Sequence, residues 1–135
     1  MAFQRDKEKL MRFLPTKIHG LTDYLMFILL MASPFIFWST ARGADTWVPM
    51  LLGASILVYS IWTDYEWGAF HSIPMRTHLM LDLSGGILLA VSPWLFGFAD
   101  VVYLPHLVLG FAEVGMSLIT KTEPLRKGML GNDTL

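Results

Sequence analysis

The chain has 135 residues, of which 54% are hydrophobic and 16% are charged, and its 10 lysines and arginines nearly balance its 11 aspartates and glutamates. Because an average soluble domain is about 25% charged, this composition indicates a membrane protein, and the length allows one domain. The formal net charge of −1 excludes a strongly basic nucleic-acid binder, and the absence of cysteine excludes a disulfide framework and a thiolate metal site.

The first element in the chain is a basic segment, residues 1–17. It contains two acidic residues and five basic ones, Arg5, Lys7, Lys9, Arg12 and Lys17. Apolar residues such as Phe3, Leu10 and Phe13 give part of the segment an amphipathic pattern, which is typical of a helix lying on a membrane surface. We therefore expect residues 1–17 to be either a surface-lying amphipathic helix or a solvated cytoplasmic tail.

Four apolar stretches follow, each near the length of about 20 residues that crosses a bilayer. They run from about Ile18 to Trp38, Thr46 to Trp62, His78 to Phe98 and Val101 to Thr120. No small-residue cleavage site follows the first stretch, so we interpret it as a retained anchor and not as a signal peptide. The sequence thus predicts an all-α polytopic protein with four transmembrane helices, a cytoplasmic loop at residues 67–77 and a cytoplasmic tail at residues 124–135.

The positive charges of the chain are distributed unequally between the two sides of the predicted membrane. With four spans, both termini and the central loop share one side, which carries nine of the ten cations, whereas the other side carries Arg42 alone. Cytoplasmic segments near span ends are enriched in lysine and arginine. We therefore predict a protein of the prokaryotic cytoplasmic (inner) membrane, with both termini in the cytoplasm.

The second pair of spans repeats the pattern of the first pair. The positions matched at one constant offset are His19 with His78, Asp23 with Asp82, and Ser33-Pro34-Phe35 with Ser92-Pro93-Trp94. The first hairpin therefore covers residues 18–66 and the second covers residues 78–123. Because each unit has two spans, both units have the same orientation, and a pseudo-two-fold axis along the membrane normal relates them.

These hairpins, with their polar helix starts and Ser-Pro-Trp motifs, resemble the SPW-repeat family of small prokaryotic integral membrane proteins. The second copy, Ser92-Pro93-Trp94, is close to the family motif, whereas the first copy has Phe35 in place of Trp. The resemblance covers roughly residues 15–120 and implies the fold and the membrane location, but no biochemical activity. In physical terms, Pro34 and Pro93 are expected to kink or end their helices, and the preceding serines are expected to bond the carbonyls that the kink frees.

A few polar residues inside the predicted spans are the candidates for chemistry, namely His19, Asp23, His78, Asp82 and Glu113. Each His/Asp pair is four residues apart and so lies on one helix face. The three acids would form one layer toward the cytoplasmic side, where intramembrane carboxylates suggest function. Glu113 breaks the repeat because its counterpart is Ile56. The segments 63–66 and 120–123 are interpreted as helix exits into water.

These residues leave three functions open. The first is a structural or accessory module, either a homo-oligomer or a subunit of a larger membrane complex, in which the His/Asp pairs stabilise helix ends. The second is a small carrier or proton-handling protein that uses the acidic layer. The third is a redox protein that holds haem or a divalent metal through His19 and His78.

The sequence contains no nucleotide-binding or hydrolase motif. We therefore predict no catalytic residues and no cofactor, although haem or a divalent metal remains an alternative. The predicted partners are the lipid bilayer and either further copies of the chain or other membrane subunits, but not nucleic acid.

Overall fold

The computed structural model describes residues 2–37 and 43–125, so that Trp38, Arg42 and residues 126–135 lie outside the described part. This part of the chain is all-α and has no named strand, as predicted. Its helices are α1 (Ala2–Met11), α2 (Thr16–Phe37), α3 (Ala44–Trp62), α4 (Met75–Leu95) and α5 (Leu104–Ile119).

Three helices, α2, α3 and α4, are long and apolar enough to cross a membrane, and α5 is a shorter apolar helix of 16 residues. The fourth predicted span began at Val101, whereas α5 begins at Leu104. The amides of Val101 and Val102 instead bond the carbonyl of Phe98 at 2.9 and 3.1 Å. Pro105, which has no amide hydrogen, then occupies the first turn of α5, where that hydrogen is not needed.

The helices form two hairpins, in which α2 packs mainly against α3 and α4 packs mainly against α5. The segment that precedes the first helix of each hairpin forms a backbone hydrogen bond with the end of the other hairpin. The amide of Leu14 donates to Ile119 O at 3.0 Å, and the amide of Ile73 donates to Trp62 O at 2.9 Å. Leu14 and Ile73 are equivalent positions of the two repeats, and so are Trp62 and Ile119. The backbone hydrogen bonds therefore follow the same internal repeat as the sequence.

Helices α4 and α5 approach each other closely at two glycines. A Cβ atom at Gly110 would lie 2.6 Å from both Ala90 N and Gly86 O, distances that no real Cβ atom tolerates. Glycine is therefore required here for backbone-to-backbone packing, which is how helices associate where lipid weakens the hydrophobic driving force. An apolar core of Met26, Leu30, Ile56 and Leu89 lies beside this contact and joins the two hairpins.

The two Ser-Pro motifs lie near the ends of the first helix of each hairpin. The Ser33 hydroxyl donates to Leu30 O at 3.1 Å, and the Ser92 hydroxyl donates to Leu89 O at 2.8 Å. Each serine thus bonds a carbonyl of its own last turns, as expected. Helix α4 ends at Leu95 and not at Phe98, because Gly97 adopts a φ of +72°, which ends the helix with a left-handed residue.

Candidate metal site between the two hairpins

Four of the five predicted polar residues meet between the starts of α2 and α4. His19 and Asp23 come from α2, and His78 and Asp82 come from α4. None of these residues exposes more than 2% of its surface. One ligand atom from each lies within 4.8 Å of the others. The repeat explains the arrangement, because equivalent positions of the two hairpins face each other across the pseudo-two-fold axis.

The contacts within this group, which we call the His2Asp2 cluster, are short and shared. The two Nε2 atoms of His19 and His78 are 3.3 Å apart. His19 Nε2 lies 3.2 Å from Asp23 Oδ1 and 2.9 Å from Asp82 Oδ2. His78 Nε2 lies 3.1 Å from Asp23 Oδ2 and 3.1 Å from Asp82 Oδ2. Each of the two Nε2 atoms therefore has three polar neighbours. One proton on Nε2 can form a well-aligned hydrogen bond with one of them, or with two at most.

Two threonines determine which nitrogen of each imidazole carries a proton. Thr120 Oγ1 lies 2.6 Å from Met116 O and 2.8 Å from His19 Nδ1. The hydroxyl has one proton, and because a carbonyl only accepts, that proton goes to Met116 O. The hydroxyl oxygen must then accept from an Nδ1–H of His19. In its neutral form, His19 therefore directs the lone pair of Nε2 into the cluster.

The same arrangement recurs at His78. Thr63 Oγ1 lies 2.7 Å from Tyr59 O and 2.8 Å from His78 Nδ1. Each histidine is thus oriented by a threonine of the other hairpin, since Thr120 follows α5 and Thr63 follows α3. With both imidazoles neutral, two nitrogen lone pairs and two carboxylates converge on one point, and only positive charge can balance this set of acceptors.

The geometry of the His2Asp2 cluster fits a divalent cation with four protein ligands. Nitrogen and oxygen ligands of tetrahedral zinc lie about 2.0–2.1 Å from the ion, which places them about 3.3 Å from one another. Four of the distances given above join one set of atoms, namely Nε2 of His19 and His78 and Oδ2 of Asp23 and Asp82, and they fall between 2.9 and 3.3 Å. Two carboxylates neutralise the two charges of the ion, and the threonines supply the hydrogen bonds that orient imidazole ligands. The residues present therefore fit a zinc-type ion.

Haem does not fit the same residues. A bis-histidine haem places a flat macrocycle between two axial imidazoles. Here both Nε2 atoms are within 3.2 Å of Asp23 and Asp82 oxygens, so carboxylates occupy the space that the macrocycle needs. Of the two alternatives for His19 and His78, the geometry favours the single ion.

The carboxylates of the cluster accept further hydrogen bonds. Tyr59 Oη donates to Asp82 Oδ1 at 2.6 Å, and Tyr65 Oη and Ser60 Oγ approach Asp23 Oδ2 at 3.1 and 3.3 Å. Tyr65 lies in the loop after α3, and burial raises the pKa of its phenol, with the charge of Asp23 adding to the effect. Tyr65 therefore keeps its proton and acts as a donor.

The loop at residues 63–74 folds back against the start of α2 and closes the cluster. The Tyr65 ring packs on Gly20, where a Cβ atom would lie 2.6 Å from Tyr65 Cε2. The Thr16 hydroxyl lies 2.9 and 2.7 Å from the two carboxylate oxygens of Glu66, which holds the loop against α2. These contacts explain why Tyr65 has no exposed surface.

The interpretation of segments 63–66 and 120–123 as exits into water is wrong for three of their residues, Thr63, Tyr65 and Thr120. Thr63 and Thr120 have no exposed surface. Their backbones turn away from the helix axis, but their side chains stay inside and bond the histidines. The repeat at Thr63 and Thr120 was visible in the sequence, although nothing there indicated a bond to the other hairpin.

Two further buried polar residues, Glu113 and His106, are not among the four residues of the cluster. Glu113 of α5 does not join the four ligands and instead lines a cavity that also contacts Asp82. His106 bonds the carbonyl of Asp45 at 3.2 Å, at the opposite end of the bundle. His106 and His19 therefore lie at opposite ends of the bundle.

The comparisons with known proteins concern the family alone. A sequence profile of the SPW repeat domain matches residues 17–120. No curated protein and no solved structure shows significant similarity to the chain. The matched range contains both hairpins, both Ser-Pro motifs and all four residues of the His2Asp2 cluster. The chain therefore belongs to the SPW repeat family, whose members are small membrane proteins.

Proposed function

We propose that the protein is a metal-binding structural module of the membrane, in which one divalent transition-metal ion of the zinc type joins the two hairpins. The observation that carries the proposal is the set of four buried ligand atoms from His19, Asp23, His78 and Asp82 within 4.8 Å of one another. Two ligands come from each hairpin, so the ion would link the first repeat to the second.

The surroundings of the cluster favour a structural ion over a catalytic one. Catalytic zinc keeps one position for water or substrate, whereas structural zinc has four protein ligands. All four ligands here come from the chain, and they expose at most 2% of their surface. Tyr59 and Tyr65 also bond the carboxylates and cover the site. A closed site of this kind supports the module role and gives no support to an enzyme.

We further propose that the module acts as an accessory protein, as a homo-oligomer or as a subunit of a larger membrane complex. In the most apolar part of each of the helices α2, α3 and α4, only 33%, 33% and 44% of the residues are buried. The remaining apolar surface of these helices faces lipid or other helices. This leaves wide surfaces for association in the bilayer, which supports the accessory role.

The proposal is tested by native mass spectrometry of the protein gently solubilised from cells grown with zinc. We expect one zinc ion per chain, lost after a chelator treatment that also lowers the unfolding temperature, because an ion that binds only the folded state stabilises it. Additional subunits or copies in the same spectrum would support the accessory role. Protein that carries no metal and does not bind added zinc would overturn the metal proposal, and a solitary monomer would overturn the accessory role.

We also propose that the protein is in the prokaryotic cytoplasmic membrane with both termini in the cytoplasm. The unequal distribution of cations supports this orientation. The N-terminal helix α1 leaves Phe3, Leu10 and Met11 exposed, as a helix lying on a membrane surface requires. Arg12 donates to Ser117 O and Thr120 O at 3.0 and 2.8 Å, which fastens this segment to the same end of the bundle as the cluster.

Single cysteines test this orientation without background, because the chain has none of its own. Asp100 lies in the turn between α4 and α5, Ser72 lies in the loop between α3 and α4, and both are exposed. In intact spheroplasts we expect a membrane-impermeant maleimide to label Asp100→Cys at once and Ser72→Cys only after lysis. The reverse labelling pattern would place the termini outside.

A further inference from the structure

A cavity of about 280 Å³ lies beside the His2Asp2 cluster, mainly between α3 and α4. Apolar side chains such as Met26, Leu30, Leu52 and Leu89 line most of it. Its mouth lies on the outer surface of the bundle, where Leu81 is 40% exposed. The cavity therefore opens sideways, toward the acyl chains of the bilayer.

The inner wall of this cavity is polar and consists largely of acceptors. It is lined by Tyr59, Asp82 and Glu113. The Tyr59 hydroxyl donates a hydrogen bond to Asp82 Oδ1, at 2.6 Å. Glu113 is 5% exposed, and its Oε1 has no hydrogen-bond partner among the residues that the structure describes. A buried carboxylate oxygen without a donor is costly, because burial removes the water that would otherwise solvate it.

We propose that this cavity binds an amphiphile from the membrane that has an alkyl chain and a protonated primary amine. The ammonium group donates to Glu113 Oε1, and the alkyl chain lies along the apolar lining toward the mouth. An ammonium group has three donors and no acceptor, which matches the carboxylate oxygen Glu113 Oε1 that lacks a donor. Its positive charge balances Glu113, and the alkyl chain packs against the apolar side chains that line the cavity.

The repeat makes this a single site per chain. The counterpart of Glu113 in the first hairpin is Ile56, which lines the same cavity and has no polar atom in its side chain. The His2Asp2 cluster takes equivalent residues from both hairpins, whereas the amine site does not. Its occupation does not require the metal, because Glu113 is not one of the four ligands.

The test is a titration of octylamine into zinc-loaded protein in maltoside detergent, followed by native mass spectrometry, with octanol and octanoate as matched ligands. We expect one octylamine per chain, weaker binding of octanol and no binding of octanoate. In Glu113→Gln, we expect octylamine affinity to fall by about 10- to 100-fold, the usual value of a hydrogen bond to a charged group. Asp45→Asn, which alters a buried carboxylate at the other end of the bundle, is expected to leave the affinity unchanged.

A second variant keeps the test decisive if Glu113→Gln does not fold. Gly85 lines the cavity, and a Cβ atom there meets only Leu52 Cδ2, at 3.8 Å. Gly85→Leu should therefore fold and fill the space near the mouth, and we expect it to lose octylamine binding while keeping its zinc. Equal binding of octylamine and octanoate, or octylamine binding that neither variant changes, would overturn the proposal.

Discussion

Replacing His78 with alanine is expected to lower the zinc affinity of the protein by about 100- to 1,000-fold. A structural zinc ion contributes about 10–16 kcal/mol of binding free energy, shared among four ligands, so that one ligand accounts for about 3 kcal/mol. The remaining ligands would be His19, Asp23 and Asp82, which is one short of a closed tetrahedral site. The affinity is measured by competition with a zinc chelator of known strength.

The matched control for His78→Ala is His106→Ala. Both histidines are buried, with 0% and 1% exposure, but His106 lies at the opposite end of the bundle and bonds the Asp45 carbonyl. We expect His106→Ala to keep its zinc affinity even if it unfolds at a lower temperature. Because of the repeat, His19→Ala should lose as much affinity as His78→Ala. Equal zinc affinity in all three variants would mean that zinc binds elsewhere.

The four residues of the His2Asp2 cluster could be singled out in the sequence because the duplication marks them twice. A histidine and an aspartate four residues apart on one helix are common, but their recurrence at the start of the second hairpin places both pairs at one depth in the membrane. What the sequence does not contain is the distance between α2 and α4. His19 and His78 face each other at 3.3 Å because the hairpins pack α3 against α4 and α2 against α5, which brings the two side chains together between the hairpins.

The residues around the cluster were not recognised for a different reason. Thr63 and Thr120 follow their helices, a position where polar residues usually enter water, and their bonds to His78 and His19 cross from one hairpin to the other. Tyr65 is a loop residue that becomes buried only because the loop folds against Gly20. These contacts depend on tertiary packing, which local sequence patterns do not encode.

The extents of the spans were less predictable than their number. Hydropathy alone extended the third span to Phe98 and began the fourth at Val101, because all residues between α4 and α5 except Asp100 lack a charge and most are apolar. In the structure this stretch is a turn, in which Gly97 has a φ of +72° and Phe98 N bonds Pro93 O at 2.8 Å. Apolar residues in a tight turn at a membrane surface have the same hydropathy as apolar residues inside a helix. Only the backbone conformation and its hydrogen bonds distinguish the two.

Replacing Thr120 with valine tests whether the threonines set the protonation of the cluster. Valine has nearly the same shape but removes the oxygen that lies 2.8 Å from His19 Nδ1. An Nδ1–H without an acceptor is unfavourable in a buried site, so neutral His19 should shift its proton to Nε2, the nitrogen that the metal needs. We expect zinc affinity to fall by about 10- to 100-fold, the usual cost of losing the hydrogen-bond partner of a metal ligand.

Thr22→Val is the matched control for Thr120→Val, because the Thr22 hydroxyl also bonds a backbone carbonyl, His19 O at 2.6 Å, but does not contact an imidazole. Nitrogen NMR of the metal-free protein at high pH separates the two effects. Thr120→Val is expected to move the His19 proton from Nδ1 to Nε2, whereas Thr22→Val leaves it in place. Thr63→Val should do the same at His78, as the repeat requires. If Thr120→Val lowers stability and leaves both the proton position and the zinc affinity unchanged, Thr120 only closes the end of α5, and the cluster is oriented by its own carboxylates.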